Sequence, residues 1–276
     1  MKVSVNGEIR EQKDALISIA DKAVWYDFGV YENIKVLQGK VMWPLPHVDR
    51  LFRSAQLIGL TLGEDKETVL SWIAAYARDA QLQNHIIKVC AYGDADTNTR
   101  ATLSLFAVGL TFYPDSYYSK GVSAITYPGE RHFPNAKSMD TLLSFMAFRE
   151  AARQGAFDSF LVDGDGNVRE GSRSNIYIIA HDMVITPPKE EVLEGVTRTL
   201  VFELLQHHDI PFQEAPLSKE RLMAAQEVFI TATSANVMPV VSVDGATIGN
   251  GAVGPVTKRI YQLYRETQMK FVKSKN

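Results

Sequence analysis

The chain has 276 residues, of which 29 are basic and 32 acidic, for a net charge of -3. A chain of this length can form one large domain or two moderate ones, each with its own core. The near-neutral charge and the lack of a basic run argue against nucleic acid as the main partner.

The first part of the chain alternates between strand and helix patterns. Two turn signals, Asn6-Gly7 and Gln38-Gly39, lie between short apolar runs and predict two β-hairpins. Apolar residues at helical spacing predict two helices, the first from His47 onward. The predicted segments are strands at 3–5, 30–36, 40–42, 86–92 and 103–108, and helices at 47–58 and 69–77.

Residues 113–121 lose this periodicity and gather Pro, Ser and Tyr, which predicts an interdomain linker. We therefore expect a small α/β domain at 1–112 and a larger domain at 122–276. Strands outnumber helices in the larger domain, so a curved, barrel-like sheet with flanking helices is expected. The predicted segments there are strands at 122–126, 159–162, 175–179, 228–230 and 240–243, and helices at about 139–153 and after Thr197.

Lys137 stands just before an apolar run that has helical spacing, so its stem is expected to be partly enclosed. A lysine in such a place is most often a solvated surface residue, and it becomes a nucleophile only when it is desolvated or held as an imine. The surrounding sequence changes that interpretation. The run from Ala136 to Tyr177 resembles the signature of class IV (fold type IV) pyridoxal phosphate enzymes, in which a lysine is followed by a helix, an acidic loop and Glu-Gly-Ser-x-x-Asn. The positions that match this pattern are Lys137, Glu170, Gly171, Ser172 and Asn175.

This family includes branched-chain aminotransferases, D-amino-acid aminotransferases and 4-amino-4-deoxychorismate lyases. The resemblance implies that Lys137 carries the internal aldimine of pyridoxal 5'-phosphate and moves a proton between the substrate α-carbon and the cofactor. It implies that Glu170 pairs with the pyridine nitrogen, so that the ring acts as an electron sink. It also implies two α/β domains, of which the larger, barrel-like one binds the cofactor, and a homodimer.

A phosphate group requires backbone N–H groups at a helix start, hydroxyl groups and an arginine. The segment LEGVTR resembles the family's Leu-x-Gly-Ile-Thr-Arg. The resemblance implies that Val196 and Thr197 bind the phosphate while Leu193 packs on the ring, although Thr197 could also be a plain helix cap. By the same resemblance, the guanidinium of Arg50 binds the phosphate and Thr233 supplies a hydroxyl group that binds it.

The substrate residues are less clearly defined by the pattern. Tyr31 resembles the carboxylate-binding tyrosine of D-amino-acid aminotransferases, and the turn formed by Thr233, Ser234 and Ala235 resembles one that offers N–H groups in branched-chain enzymes. We find no counterpart of the Arg-x-His pair of the D-specific enzymes, and Leu142 stands where branched-chain enzymes have a tyrosine. The hypothesis from the sequence is therefore a carboxylate clamp of Tyr31 and Arg173, with Arg173 as an outward-pointing turn residue the alternative.

Arg100 closes the polar loop DADTNTR and is a further candidate for binding a carboxylate. The favoured interpretation is that it is a surface residue. The most favoured function is transamination between an α-amino acid and a 2-oxo acid such as 2-oxoglutarate. D-Amino acids are slightly favoured as donors and branched-chain L-amino acids come next. The alternative is 4-amino-4-deoxychorismate lyase, which would use the same lysine and cofactor.

Other features of the chain predict its surroundings. Its six histidines show no metal-ligand spacing, so no metal site is expected. The single Cys90 cannot form an intrachain disulfide, which favours a reducing compartment. The opening residues lack the apolar region of a signal peptide, and no stretch approaches the roughly 18 apolar residues of a membrane span. A cytoplasmic protein without a membrane partner is therefore expected.

Overall fold

The computed structural model describes residues 1–93 and 100–274. These residues form two compact units. The first comprises Met1–Thr111 and Ala136–Asp140, together with Ser274, and the second comprises Phe112–Asn135 and Thr141–Lys273. The segment that contains Lys137 thus belongs to the first unit.

The first unit contains a six-stranded sheet, in the order β2-β1-β6-β5-β3-β4, in which all neighbouring strands are antiparallel. Its elements are β1 (Lys2–Val5), β2 (Glu8–Glu11), a 3-10 turn (Gln12–Asp14), α1 (Lys22–Trp25), β3 (Gly29–Leu37), β4 (Lys40–Val41), α2 (Pro44–Leu57), α3 (Lys66–Asp79), β5 (His85–Tyr92) and β6 (Thr102–Gly109).

Both predicted hairpins are confirmed. Asn6 and Gly7 join β1 to β2, and Gln38 and Gly39 join β3 to β4, with positive φ at all four residues. Such turns match the twist of the strands they join. Helix α2 begins at Pro44, a residue suited to a first helical turn, and so starts earlier than predicted.

Strand β3 has two faces of different chemistry. Val30, Ile34 and Val36 are fully buried on one face, where they pack with apolar residues of α2 and α3. Because side chains alternate along a strand, Glu32 lies on this same face. It is also fully buried. A carboxylate in an apolar core is costly unless it is paired, so the residues around Glu32 must compensate its charge.

The second unit contains a nine-stranded mixed sheet. Eight strands follow the order β12-β11-β10-β13-β14-β7-β8-β9, and β15 pairs with β14. The elements are α4 (Asp115–Lys120), β7 (Val122–Pro128), α5 (Leu142–Arg153), β8 (Asp158–Val162), β9 (Val168–Gly171), β10 (Asn175–Ala180), β11 (Met183–Thr186), a 3-10 turn (Lys189–Glu191), α6 (Val196–His207), β12 (Phe212–Glu214), α7 (Lys219–Met223), β13 (Glu227–Ala232), β14 (Asn236–Val243), β15 (Ala246–Thr247) and α8 (Pro255–Lys273).

The mixture of sheets and helices in both units confirms the predicted α/β class. The helix predicted to start near Met139 begins only at Leu142, because Ser138 and Met139 pair with the backbone of β3 instead. Residues 113–121, expected to be a linker, contain the short helix α4. The domain boundaries at 112 and 122 stay a prediction.

Candidate active site

Backbone hydrogen bonds hold the Lys137 segment against the first unit's sheet. The N–H of Tyr31 donates to the carbonyl of Lys137 at 2.9 Å, and the N–H of Met139 donates to the carbonyl of Gly29 at 2.9 Å. On the other side, the N–H of Lys137 donates to Ser54 Oγ at 3.0 Å. The backbone of Lys137 is therefore fixed through both its donor and its acceptor.

The side chain of Lys137 is half-buried, and its Nζ lies 4.5 Å from the centroid of the Tyr31 ring. Lys88 Nζ lies 5.8 Å from the same centroid. Lys35, on the same face of β3 as Tyr31, is buried, and burial lowers its pKa to about 7. The two lysine amines near the Tyr31 ring make this end of the face suited to an anionic group.

Arg50 and His47 compensate the buried charge of Glu32. Arg50 donates through Nε to Glu32 Oε1 at 2.7 Å and through Nη2 to Oε2 at 2.8 Å, in a bidentate pair. His47 Nδ1 lies 2.7 Å from Glu32 Oε2 and is the donor, because a carboxylate can only accept. The role of Arg50 in binding phosphate stays a prediction; its guanidinium is buried in this ion pair.

The pKa values of this group follow from burial and pairing. Burial acts to raise the pKa of Glu32, but the charge and hydrogen bonds of Arg50, together with the hydrogen bond of His47, outweigh it and hold the pKa well below 4.5. Burial lowers the pKa of His47, against the opposing effect of Glu32. The arrangement is an ionised carboxylate between a guanidinium and a neutral imidazole.

Glu170 lies near the end of strand β9 in the second unit and is 5 % exposed. The N–H of Leu193 donates to its Oε2 at 3.1 Å, and Arg131 Nη1 donates to its Oε1 at 3.2 Å. Arg131 also binds the carbonyls of Phe133 and Pro134 at 3.2 Å. Glu170 therefore has a fixed orientation. It lines a cavity of about 150 Å³ with other charged residues, including Glu130, Arg131, Arg169 and Glu191.

A buried aspartate holds the turn that follows Glu170. Asp158 accepts hydrogen bonds from the hydroxyls of Ser172 and Ser174. A side chain at Gly171 could not fit, because its Cβ would lie 2.1 Å from Ser174 Oγ. Burial raises the pKa of Asp158, although these serine hydroxyls and the charge of Arg173 act in the opposite direction.

Helix α6 starts with a glycine and no side-chain cap. A Cβ at Gly195 would lie 2.2 Å from Asn175 Oδ1, so the close approach of Asn175 requires glycine. Asn175 Nδ2 in turn donates to the carbonyl of Leu193 at 2.7 Å. Val196 and Thr197 are buried in the first turn, and the Thr197 side chain is hydrogen-bonded to Tyr264. The backbone donors at this helix start make an anion-binding site available.

The remaining candidates of the second unit lie in turns. Thr233, Ser234 and Ala235 connect β13 to β14; Thr233 and Ser234 are half-buried, and the Ala235 carbonyl accepts from Tyr118 at 3.3 Å. Arg173 is exposed, and its guanidinium lies 4.1 Å from the Phe148 ring and 5.2 Å from the Phe157 ring. The roles assigned to these residues stay predictions.

Arg100 is exposed, and its aliphatic stem lies against Gly63 in the first unit. The polar loop that it closes, residues 94–99, lies outside the described part of the chain. Leu142 stands where the pattern of branched-chain enzymes has a tyrosine. Its side chain is 67 % exposed at the first turn of α5.

Four residues that contact the candidate site residues, or hold the elements that carry them, were not predicted from the sequence. Ser54 binds Lys137, Arg131 binds Glu170, His47 joins the Glu32 pair, and Asp158 holds the turn after Glu170. A signal was present for two of them: His47 and Ser54 lie on the same predicted helix face as Arg50. Nothing local indicated Arg131 or Asp158.

Within residues 1–93 and 100–274, no three His, Cys, Asp or Glu side chains are grouped so as to hold a metal ion. No helix in these ranges combines the length and the apolar character required to cross a lipid bilayer.

Comparisons with known proteins place the chain in a family. The model of amino-transferase class IV matches residues 29–243. A D-alanine aminotransferase of Bacillus licheniformis is 33% identical, with 94% of each chain covered. A Methanocaldococcus jannaschii protein, provisionally assigned as a branched-chain-amino-acid aminotransferase, is 31% identical, with 98% of each chain covered. The chain therefore belongs to the class IV aminotransferases and is an enzyme of that class.

A solved structure is similar along most of the chain. A branched-chain amino acid aminotransferase from T.th., complexed with N-(5'-phosphopyridoxyl)-L-glutamate, superimposes with a TM-score of 0.89 at 26% identity, covering 98% of this chain and 94% of that one. The predicted fold type IV is thus confirmed. Class IV aminotransferases are pyridoxal phosphate enzymes, and the residues present fit that cofactor: an uncapped helix start at Gly195, a buried carboxylate at Glu170 and a half-buried amine at Lys137.

Replacing Glu32 by glutamine should destabilise the first unit. The change removes the charge that compensates buried Arg50, so we expect the free energy of unfolding at pH 7 to fall by about 3–5 kcal/mol. Because the pKa of Glu32 is lowered in the folded state, its contribution is complete above pH 4.5 and is lost as the pH falls below that value. Urea unfolding of both proteins at pH 7 and pH 3 measures the difference.

Glu8→Gln is the matched control, since Glu8 and Arg10 form an exposed pair with side chains 71% and 45% exposed. We expect it to change stability by less than about 1 kcal/mol at either pH. Equal effects of the two substitutions at pH 7, or a Glu32→Gln effect that does not shrink in acid, would contradict this account of the buried pair.

Proposed function

We propose that the chain is a pyridoxal phosphate-dependent transaminase that moves an amino group between an α-amino acid and a 2-oxo acid such as 2-oxoglutarate. The observation that carries the proposal is the setting of Lys137. Its backbone is held between Tyr31 and Ser54, and its half-buried amine lies over the Tyr31 ring. A lysine held in this way on a class IV aminotransferase is the natural point of cofactor attachment.

Lys137 and Glu170 have separate tasks in the proposed reaction. When bound, pyridoxal phosphate supplies an electron sink for the bonds of the amino acid's α-carbon. Lys137 attaches the cofactor through Nζ, and the freed amine takes the proton from the α-carbon. Glu170, kept in orientation by Leu193 and Arg131, holds a proton at the pyridine nitrogen.

The phosphate is bound by the N–H groups and hydroxyl at the start of α6, through Val196 and Thr197, together with Arg50 and Thr233. Leu193 packs against the ring. The absence of a side-chain cap at Gly195 supports this assignment, because donors at the helix start remain available to an anion.

The substrate carboxylate is held by Tyr31 with Arg173, and by the N–H groups of Ser234 and Ala235; Arg100 is a further candidate. Clamping the carboxylate would fix the orientation of the bound amino acid, and so would select which bond at its α-carbon breaks. The amino group then passes to a 2-oxo acid in a second half-reaction, which gives ping-pong kinetics.

D-Amino acids are the donors we favour slightly, with branched-chain L-amino acids next. Tyr31 supports this preference, as does the similarity to a D-alanine aminotransferase. The similarity to the T.th. branched-chain enzyme, in turn, supports the second choice.

We also propose a homodimer in the cytoplasm. Each unit exposes several large apolar side chains. In the second unit, Leu142, Phe145 and Met146 share one face of α5, and an exposed apolar helix face is a common feature of an interface. In the first unit, Leu16, Ile19, Trp25 and Tyr26 are exposed.

A donor panel tests the proposed reaction. The cofactor-loaded protein is mixed with D-alanine, D-glutamate or L-leucine, and we expect at least one donor to remove the near-visible absorbance, with 2-oxoglutarate restoring it. Lys137→Ala should abolish the covalent absorbance and lower the rate by roughly 10²- to 10⁴-fold, since a positioned acid–base group contributes about that much.

Lys120→Ala, at the exposed end of α4, is the control and should behave as the wild type. A wild-type protein that leaves all three donors unchanged but releases pyruvate from aminodeoxychorismate would be a lyase. Covalent attachment that survives in Lys137→Ala would end the assignment of this lysine.

Replacing Arg173 by alanine tests the carboxylate clamp. Loss of a charged hydrogen-bond donor should raise the KM of donor and acceptor roughly tenfold. Arg149→Ala is the control, because Arg149 is also exposed over an aromatic ring, 5.7 Å from the Phe145 centroid. Unchanged KM values in Arg173→Ala would remove Arg173 from the site.

Sedimentation velocity tests the homodimer. Two chains of 30.8 kDa each should sediment together at micromolar concentration, because association would bury the exposed apolar side chains. A single species of 30.8 kDa under these conditions would contradict the proposal.

A further inference from the structure

Ser54 is a fully buried polar residue on α2 that makes contact with the Lys137 backbone. It is 0 % exposed, and its Oγ accepts the N–H of Lys137 at 3.0 Å. The two residues are 83 positions apart in the chain. The Ser54 hydroxyl therefore either serves only to pack the core or is a specific hydrogen-bond acceptor for the N–H of Lys137.

The helix that carries Ser54 is itself firmly held. His47, Arg50 and Ser54 are all buried along one face of α2, at spacings that bring them together on a helix. The carboxylate of Glu32 binds the first two, so the rotation of α2 about its axis is fixed relative to β3. Ser54 therefore presents its oxygen from a rigid base.

Strand β3 holds the other side of the same lysine. The N–H of Tyr31 binds the Lys137 carbonyl, and Val30 forms an isolated bridge with Ser138. The carbonyl contact alone leaves the peptide before Lys137 able to rotate. The Ser54 contact fixes that peptide, and with it the direction in which the side chain leaves the backbone.

We propose that Ser54 is a positioning residue that sets the direction of the Lys137 side chain, and so the placement of its Nζ over the Tyr31 ring. The proposal rests on the proposed function, in which Lys137 attaches the cofactor. A small rotation at the backbone is amplified along the four methylene groups of lysine, and an error of about 1 Å at a reacting group costs roughly 10²-fold in rate.

Ser54→Ala tests the proposal in two stages, the first without cofactor. In the cofactor-free protein, hydrogen exchange at the Lys137 amide is followed by NMR. Loss of the acceptor leaves a partly buried N–H unpaired, so this amide should exchange roughly tenfold faster or more, while the amides of β5 keep their protection. Ser54→Thr, which retains the hydroxyl, should restore slow exchange.

Ser4→Ala is the matched control. Ser4 is a buried serine of the same unit, 1 % exposed, and its Oγ has no hydrogen-bond partner among the residues that the structure describes. We expect it to leave exchange at Lys137 unchanged. If Ser54→Ala does not fold, Ser54→Cys fills nearly the same volume with a weak acceptor and gives the same comparison.

The second stage uses cofactor-loaded protein. Ser54→Ala should release the cofactor roughly tenfold faster and lower kcat by a similar factor, with the KM of the amino acid within about twofold of wild type. Unchanged exchange at Lys137 overturns the hydrogen bond as a functional contact. Faster exchange with unchanged cofactor release and kcat overturns positioning and leaves a structural role. Failure of the wild type to attach cofactor at Lys137 would instead reject the proposed function, whatever the exchange result.

Discussion

The first unit depends on the burial of one carboxylate. Glu32 lies on the apolar face of β3, where an unpaired charge would not be tolerated, and its bidentate pair with Arg50 satisfies both oxygens. Because Arg50 shares a helix face with Ser54, this pair also fixes the serine that binds Lys137. Electrostatic compensation in the core and placement of the candidate lysine are thus one arrangement.

In the second unit, a buried carboxylate fixes the turn that follows Glu170. A buried aspartate binds two serines of the turn after Glu170, and the tight path of that turn excludes any side chain at Gly171. The carboxylate of Glu170 is then oriented by a backbone N–H and by an arginine. The Glu170 carboxylate therefore has one orientation, as its proposed pairing with the pyridine nitrogen of a cofactor requires.

The sequence predicted what is local and failed on what is distant. The hairpin turns and helices could be predicted from short patterns, and a motif of about forty residues led to the proposal of Lys137 and Glu170 as site residues. The contacts that orient them join residues far apart: Ser54 and Lys137 are 83 positions apart, and Arg131 and Glu170 are 39 apart. Such pairs depend on how helices and strands rotate against each other, which no periodicity reveals. The predicted start of α5 was wrong for the same reason, since residues 138 and 139 pair with a strand more than a hundred positions earlier.

The membership of residues 136–140 in the first unit has a consequence for dissecting the molecule. A single cut of the polypeptide near residue 112 would give an N-terminal fragment without the segment that pairs with β3, and a C-terminal fragment carrying the lysine without its supporting strand and helix. Neither fragment would keep the contacts that Lys137 makes with β3 and α2. Autonomous expression of the halves would therefore require grafting this five-residue stretch onto the first, because the chain passes between the units after residues 111, 135 and 140, and again before Ser274.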